Sequence, residues 1–377
     1  MGIIKKKFNI FLRIITYLLF KVIFQNKTVS PPVNKYQIKR VLILRYDKIG
    51  DMVTTLPSID FIKKLIPDVQ IDVLASTQNY LIIKNDPRVS NIYICENKKL
   101  KLIRKAYYLR KNNYNLIFAF VFYKTSLGGL IANLAGKKNT IKVTIEHEKR
   151  KKIYYAFFNL LVPSESFIQY KCMLEVLVNI VCYTFGVEYD QNKIHQKIYL
   201  DDSSIYKAKK FINSLPHGEF ILINLSAGHP LREWSKENYI ELIEHLIKNY
   251  PTFFYILISA PSRFSESLSI SSNFSGKAFS FHSSSILDVV SIVPYCKMVI
   301  TPDTSIVHIS SVFSKPMIVL FSRFSTNIEN WKPYRVPYRA LQTLKKEKID
   351  AISPLEVFYA FKSLYSELET ENQSNNQ

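Results

Sequence analysis

Three stretches of this chain hold residues whose types and spacing could do chemistry. In VITPDTSIVHISSVFSKPMIVLF, residues 299–321, Asp303 and Thr304 separate an apolar run from Ile306, Val307, Ile309 and Val312, which recur at helical spacing. His308 follows Thr304 by one turn on the same face. A helix start with unpaired N–H groups and a hydroxyl suits a phosphate or another anion. The same residues would also serve as a plain helix cap with no ligand. The second stretch is Asp47-Lys48-Ile49-Gly50-Asp51, a tight loop with two carboxylates and one glycine. Asp51 there is placed either to take a proton or to cap the helix that follows. The third is the polar loop Ser226 to Glu233, which carries Gly228, His229 and Arg232.

Each stretch lies where a strand gives way to a helix. The run 41–46 is a strand, 52–65 has one apolar helical face, and 71–75 is the next strand. The run 220–225 is a strand, Ser235 opens a helix to about Tyr250, and 253–259 returns as a strand. The run 298–300, the helix 305–313 and the strand 317–321 repeat the design. These are βαβ units in both halves of the chain, so the fold class is α/β with parallel sheets. In open sheets of this kind, ligands sit at the carboxyl ends of the strands, where all three loops fall. Further strands are expected near 92–94, 115–122 and 140–146, and residues 153–186 read as helical. A final helix is expected over 354–368, followed by a disordered polar tail.

A length of 377 residues accommodates two domains, and 47% hydrophobic residues let each bury its own core. Four cysteines, at 95, 172, 182 and 296, show no paired spacing and read as reduced thiols in a cytoplasmic protein. No Asp-x-Asp pair and no His/Cys cluster indicates a metal or another cofactor, and none is expected. The net charge of +21 is lopsided: residues 1–200 carry 33 Lys and Arg against 13 Asp and Glu, whereas residues 201–377 carry 18 against 17. With no nucleic-acid motif among them, the basic residues fit an anionic membrane surface or an anionic acceptor better than nucleic acid. A lysine- and asparagine-rich composition set by genome bias is the alternative account, and it would explain the magnitude better than the asymmetry.

Residues 1–35 form a basic amphipathic arm and linker. Lys5-Lys6-Lys7 precede an apolar stretch that Arg13 and Lys21 interrupt, and the charge-free run 14–20 is too short to span a bilayer. A helix lying in the membrane interface fits this pattern, and so does a helix docked on the protein's own surface.

Taken together, RYDKIGDMVTTLPSI, NLSAGHPLREWSKENY and TPDTSIVHISS followed by Lys315-Pro316 resemble the signatures of glycosyltransferase family 9, the heptosyltransferases. The resemblance covers roughly residues 38–360. Arg232 stands where many members have lysine two positions before the tryptophan, here Trp234, and Asp47-Lys48 replaces a small polar pair. The resemblance implies a GT-B fold: two Rossmann-like domains facing each other across a cleft, with the final helix packing back on the first domain. We place an acceptor domain at 36–195 and a nucleotide-sugar domain at 196–377.

It also implies metal-independent, inverting transfer of a sugar, heptose by family precedent, from ADP-heptose to a lipopolysaccharide-core or other lipid-linked anionic acceptor. The enzyme would work as a peripheral protein on the inner face of the cytoplasmic membrane. Such a reaction needs a base for the acceptor hydroxyl and positive charge for the departing diphosphate. The family puts the base at Asp51, with Asp47 as a nearby rival and Asp47, Lys48 and Gly50 as the acceptor-side loop. Arg232 would clamp the diphosphate, Thr304 would bind phosphate and Asp303 sugar hydroxyls. His308 would touch the donor, orient Asp303 or sit in the core. Ser226, Gly228 and His229 would line the nucleotide. A sugar-nucleotide epimerase on the same fold, and a non-catalytic membrane- or nucleic-acid-binding protein, are the alternatives.

Overall fold

A computed structural model describes residues 14–15, 17–96, 98–122, 125–147, 151–167, 172–323, 328–345 and 347–375. The chain divides into two compact units, the first ending at Tyr199 and the second starting at Leu200. The start of the arm, residues 1–13, lies outside the described residues.

The first unit opens with helical residues 14–15 and 17–24 (α1). It continues through β1 (Arg40–Arg45), α2 (Ile49–Leu65), β2 (Gln70–Ser76), β3 (Asn91–Cys95), α3 (Lys99–Leu109), β4 (Leu116–Ala119), α4 (Thr125–Ala135), β5 (Ile141–Ile145), α5 (Lys151–Phe157), β6 (Leu160–Val162) and α6 (Met173–Phe185). The six strands are parallel in the order β3-β2-β1-β4-β5-β6. Val41 to Leu44 are wholly buried, as a central parallel strand covered on both faces must be. Helices α2 and α6 pack together, while α3, α4 and α5 form the other layer. That second layer shares one core, in which Leu102, Ile131 and Phe157 meet Leu42, Leu44 and Ile117 of the strands.

The second unit contains α7 (Asp202–Asn213), β7 (Glu219–Asn224), α8 (Lys236–Asn249), β8 (Phe253–Ile258), α9 (Phe264–Ser271), β9 (Ala278–Phe281), α10 (Ile286–Ile292), β10 (Cys296–Pro302), α11 (Ser305–Val312), β11 (Met317–Phe321), α12 (Ile328–Trp331), β12 (Tyr338–Gln342) and α13 (Pro354–Asn375). Its sheet, β12-β11-β10-β7-β8-β9, is parallel and repeats the strand order of the first. In both sheets the chain starts in the middle, winds outward one way, then returns and winds outward the other way. The order reverses between β1 and β4 in one unit and between β7 and β10 in the other. Ligand crevices of doubly wound sheets open at these reversals.

Two expectations need correcting. Residues 153–186 are not one helical region: Leu160–Val162 leaves α5 and pairs with β5 as an edge strand. Its apolar residues would suit a helix equally, so the choice is made by the free edge of β5, where the Asn159 N–H reaches the Lys142 carbonyl at 3.0 Å. The last helix runs to Asn375, with no disordered tail before that point. Its polar end holds no glycine or proline to stop it, and Glu369 meets Lys297 at 3.2 Å. This helix packs on α8, β11 and β12 of its own unit, with Tyr250 edge-on to Phe361 and Tyr365. The four cysteines are buried and unbridged.

Candidate functional site

At the reversal point of the first sheet, β1 ends in a buried arginine. Arg45 is 1% exposed, and its guanidinium gathers three segments. Nε donates to the Asp51 carbonyl at 2.7 Å, and Nη1 donates to the Phe120 carbonyl just beyond β4. Nη1 lies 3.3 Å from Asp47 Oδ2, and Nη2 lies 3.5 Å from Asp51 Oδ1. Two carboxylates thus share one cation. A buried charge of this kind is tolerated because it is paired and hydrogen-bonded on several sides.

The loop is shorter than its sequence suggests. The helix begins at Ile49, so Gly50 and Asp51 lie in its first turn, and only Asp47 and the exposed Lys48 make the bend. Asp51 sits at the third helical position, where its Oδ2 accepts the Lys48 N–H at 3.3 Å. This is half of a capping box, and it is why the helix can start early. The bend is held from below by Ser76 Oγ, which donates to the Asp47 carbonyl at 2.9 Å, and by Asn79 Nδ2, which donates to the Arg45 carbonyl at 2.9 Å. Burial pushes the Asp47 carboxyl up to about 7, with Arg45 pulling it down and the neighbouring Asp51 adding to the rise. Asp47 Oδ1 is buried with no hydrogen-bond partner among the described residues.

At the reversal point of the second sheet, Asn224 ends β7. Its Nδ2 donates to Thr301 Oγ1 at 2.9 Å and to Thr304 Oγ1 at 3.2 Å, stitching β7 to the end of β10. Its Oδ1 accepts the Ser226 N–H at 3.1 Å. Thr304 caps α11, accepting the Ile306 N–H at 3.3 Å. Arg232 reaches across from the loop after β7: Nη1 donates to the Asp303 carbonyl at 2.8 Å, and Nη2 lies 3.2 Å from Asp303 Oδ2. Asp303 is buried, whereas the Arg232 side chain is 19% exposed and so keeps a face toward solvent.

The structure therefore brings Ser226, Arg232, Asp303 and Thr304 to one place. His308 is buried inside α11 and meets Trp331 edge-on at 5.8 Å. His229 is exposed, and its Nδ1 accepts the Leu231 N–H at 3.2 Å to start a short 3-10 turn. A side chain at Gly228 would meet nothing within 4 Å, so packing does not demand glycine there. Trp234 is structural: it is buried, donates to the Ile352 carbonyl at 2.8 Å and stands edge-on to Tyr239. Among the described residues, no group of three or more His, Cys, Asp or Glu is placed to hold a metal ion.

Arg45 and Asn224 escaped the sequence reading. Both stand at the last position of an apolar strand, with one residue between them and the loops 47–51 and 226–233. A charged or amide residue at that position in a parallel strand is the signal that could have found them.

Residues 132–353, more than half of the chain, match the family model described as glycosyltransferase family 9 (heptosyltransferase). A lipopolysaccharide heptosyltransferase 1 from Campylobacter coli is 25% identical over 147 residues, 37% of this chain and 42% of that protein's length. Among solved structures, a glycosyltransferase family 9 protein from Veillonella parvula matches with a TM-score of 0.73 at 14% identity, over 90% of this chain and all of the other. An ADP-heptose lipopolysaccharide heptosyltransferase II from E. coli matches with a TM-score of 0.68 at 17% identity, over 88% of this chain and 99% of the other. Two doubly wound units of this kind are the GT-B architecture. The chain belongs to glycosyltransferase family 9, the heptosyltransferase family.

Proposed function

We propose that the protein is an inverting glycosyltransferase that moves heptose from ADP-heptose to a lipopolysaccharide-core or other lipid-linked acceptor. The first unit takes the acceptor and the second takes the nucleotide sugar. Asp51 accepts the proton of the acceptor hydroxyl as its oxygen attacks the anomeric carbon. The bond from that carbon to the diphosphate oxygen breaks, and the configuration inverts. Arg45 balances the charge on Asp51 and fixes its carboxylate relative to the end of β4. The leaving diphosphate rests on Arg232 and on the N–H groups at the start of α11. Asp303 and Thr304 orient the sugar and phosphates, and Ser226, Gly228 and His229 flank the nucleotide.

The observation that supports this reading best is the Arg45–Asp51 pair at a sheet reversal point. It sets a carboxylate where a ligand crevice is expected and holds it from two sides. The donor is taken from the E. coli relative named above, and the acceptor class from the name of the C. coli protein. Among the described residues no helix is long and apolar enough to cross a membrane. A peripheral position on the inner face of the cytoplasmic membrane goes with a lipid-linked acceptor and with the basic first half of the chain. The test is incubation of the purified protein with a panel of nucleotide sugars and a truncated lipopolysaccharide acceptor, reading product mass. A heptose-sized gain on the acceptor from ADP-heptose is expected. Hydrolysis or epimerisation of the donor without any acceptor product would overturn the assignment.

A further inference from the structure

Helix α1 has two apolar faces, and among the described residues only one of them is packed against the protein. Phe20 stacks on Phe24 at 5.4 Å, and both rings lie against Phe157 of α5, at 4.9 and 5.8 Å. The chain after the helix is tied down as well. Asn26 Nδ2 donates to Asn133 Oδ1 at 2.8 Å, and the buried Lys142 Nζ donates to Asn26 Oδ1 at 2.9 Å. Asn159 Nδ2 donates to the Lys27 carbonyl at 2.8 Å. The helix is therefore fixed on the layer that holds α3, α4 and α5.

The opposite face is bare. Ile14, Ile15, Leu18, Leu19, Val22 and Ile23 are between 45% and 71% exposed. Their spacing of i, i+1, i+4, i+5, i+8 and i+9 is that of one continuous stripe, turned away from Phe20 and Phe24. Two full turns of exposed aliphatic side chains are unusual on a soluble surface and mark a contact.

A second element of the same layer repeats the composition. Helix α3 buries Leu102, Ala106 and Leu109 in the core that α1 also touches. Outward it shows Leu100, Tyr107 and Tyr108, at 72%, 70% and 52% exposure. Lys99, Lys101 and Arg104 are exposed among them; Lys101 pairs with Glu96 just before the helix, and the helix itself has no acidic residue. Exposed aliphatic and tyrosine side chains set among long cationic ones are the chemistry of a helix resting at an anionic headgroup boundary. A second copy of this chain would meet it with like charge, because the first 200 residues carry an excess of 20 positive charges.

We propose that the exposed faces of α1 and α3, two helices packed on the same core, serve together as a preformed docking face for an anionic lipid bilayer. The exposed stripe of α1 enters the acyl boundary, and the cations of α3 bind the headgroups. This deepens the reading of a lipid-linked acceptor and rests on it for its purpose, but its test does not pass through transfer. The full chain is titrated with vesicles of pure phosphatidylcholine and with vesicles containing phosphatidylglycerol. Two variants are compared, Leu19→Glu with Val22→Glu in α1, and Lys99→Glu with Arg104→Glu in α3. All four side chains are exposed, so circular dichroism and the melting temperature should match the wild type. The wild type should bind anionic vesicles, and more weakly as salt is raised. The α1 variant should lose at least about tenfold in vesicle affinity. The α3 variant should lose most of the preference for anionic over neutral vesicles. Both should keep wild-type turnover on a short water-soluble acceptor. Vesicle binding unchanged in the α1 variant overturns the proposal. So does a wild-type dimer, seen by light scattering, that this variant dissolves, since a second copy would then be the occupant. Transfer without vesicle binding overturns this inference alone; vesicle binding without transfer overturns the proposed function alone.

Discussion

Arg232 holds Asp303 at two points, its backbone carbonyl at 2.8 Å and its carboxylate at 3.2 Å. One contact fixes the main chain at the end of β10, and the other fixes the side chain. The pairing changes how the two residues can be probed. From sequence they read as separate functions, a diphosphate clamp and a sugar holder, separable by titrating ADP alone. Joined in the structure, they should act as one unit. Replacing Arg232 by Ala should weaken ADP binding. Replacing Asp303 by Ala should weaken it too, because the guanidinium loses the partner that aims it. The double variant should lose little more than Arg232→Ala alone, with a coupling of about 0.5–3 kcal/mol. Calorimetric titration of ADP into all four proteins completes the cycle, and additive losses would show independent roles.

Asp51→Asn should lower turnover by about 100- to 10,000-fold, the usual effect of losing a general base. The substitution is mild for the fold, since an amide oxygen can still accept the Lys48 N–H that Asp51 accepts at 3.3 Å. ADP binding, which we assign to the second unit, should stay level. Wild-type turnover in this variant would make Asp51 a cap and move the base to Asp47.

Asp47 should give the protein a distinctive pH response. Its carboxyl is raised from 3.8 to about 7, chiefly by burial. The native state then holds a proton over a range in which the unfolded chain has released it. Native binding exceeds unfolded binding there, so this group makes stability fall as pH rises from about 4 to about 7, with no further change above. Asp47→Asn removes the titration. Urea midpoints at pH 5 and pH 8 should show a smaller drop in the variant than in the wild type. Equal drops would mean that Asp47 is ionised throughout that range.

The parts of the fold that were legible are those decided locally. β1, β7, β8 and β11 are unbroken apolar runs because both faces of a parallel sheet are covered, and the start of α11 is marked by Asp303-Thr304. What escaped is set by neighbours distant in sequence. Arg45 looks like the solvent end of a strand until Phe120, 75 residues on, supplies the carbonyl that makes its burial tolerable. Asn224 acquires its role from Thr301 and Thr304, 77 and 80 residues away. β6 depends on the free edge of β5, and the early start of α2 on a capping carboxylate that also faces Arg45. Periodicity showed that α1 was apolar, but a helix apolar on two faces does not say which one the core will take.

Lys142 offers a second pH test, of opposite sign. Burial lowers its ammonium to about 8, with Arg110 adding to the fall. Its Nζ donates to the Thr140 carbonyl at 2.9 Å as well as to Asn26. Between about 8 and 10.5 the unfolded chain binds the proton that the native state has lost, so this group makes stability rise with pH over that window. Lys142→Met should abolish the rise, and denaturant midpoints at pH 8 and pH 10 would show it. A rise that persists in the variant would have to come from another group.

Removing the arm should cost stability. A free basic arm could be deleted from 1 to 30 with no effect beyond better solubility, one of the two readings that its sequence allows. The structure ties that segment to the first unit through Phe20 and Phe24 on Phe157, and through Asn26 on Asn133 and Lys142. Taking it away uncovers the Phe157 ring and leaves the buried Lys142 without one of its acceptors. We expect a loss on the order of 2–4 kcal/mol, from two partly buried aromatic rings and a hydrogen-bonded polar cluster. Phe20→Ala with Phe24→Ala should reproduce most of that loss without shortening the chain. Glutamates at Leu19 and Val22, on the bare face, should leave the melting temperature in place. This contrast tests two jobs for one helix, with the docked face expected to set stability and the bare face, on our proposal, vesicle affinity. If deletion of residues 1–30 left the melting temperature unchanged, the contacts with Phe157 would carry no weight in solution, and α1 would be a loose appendage.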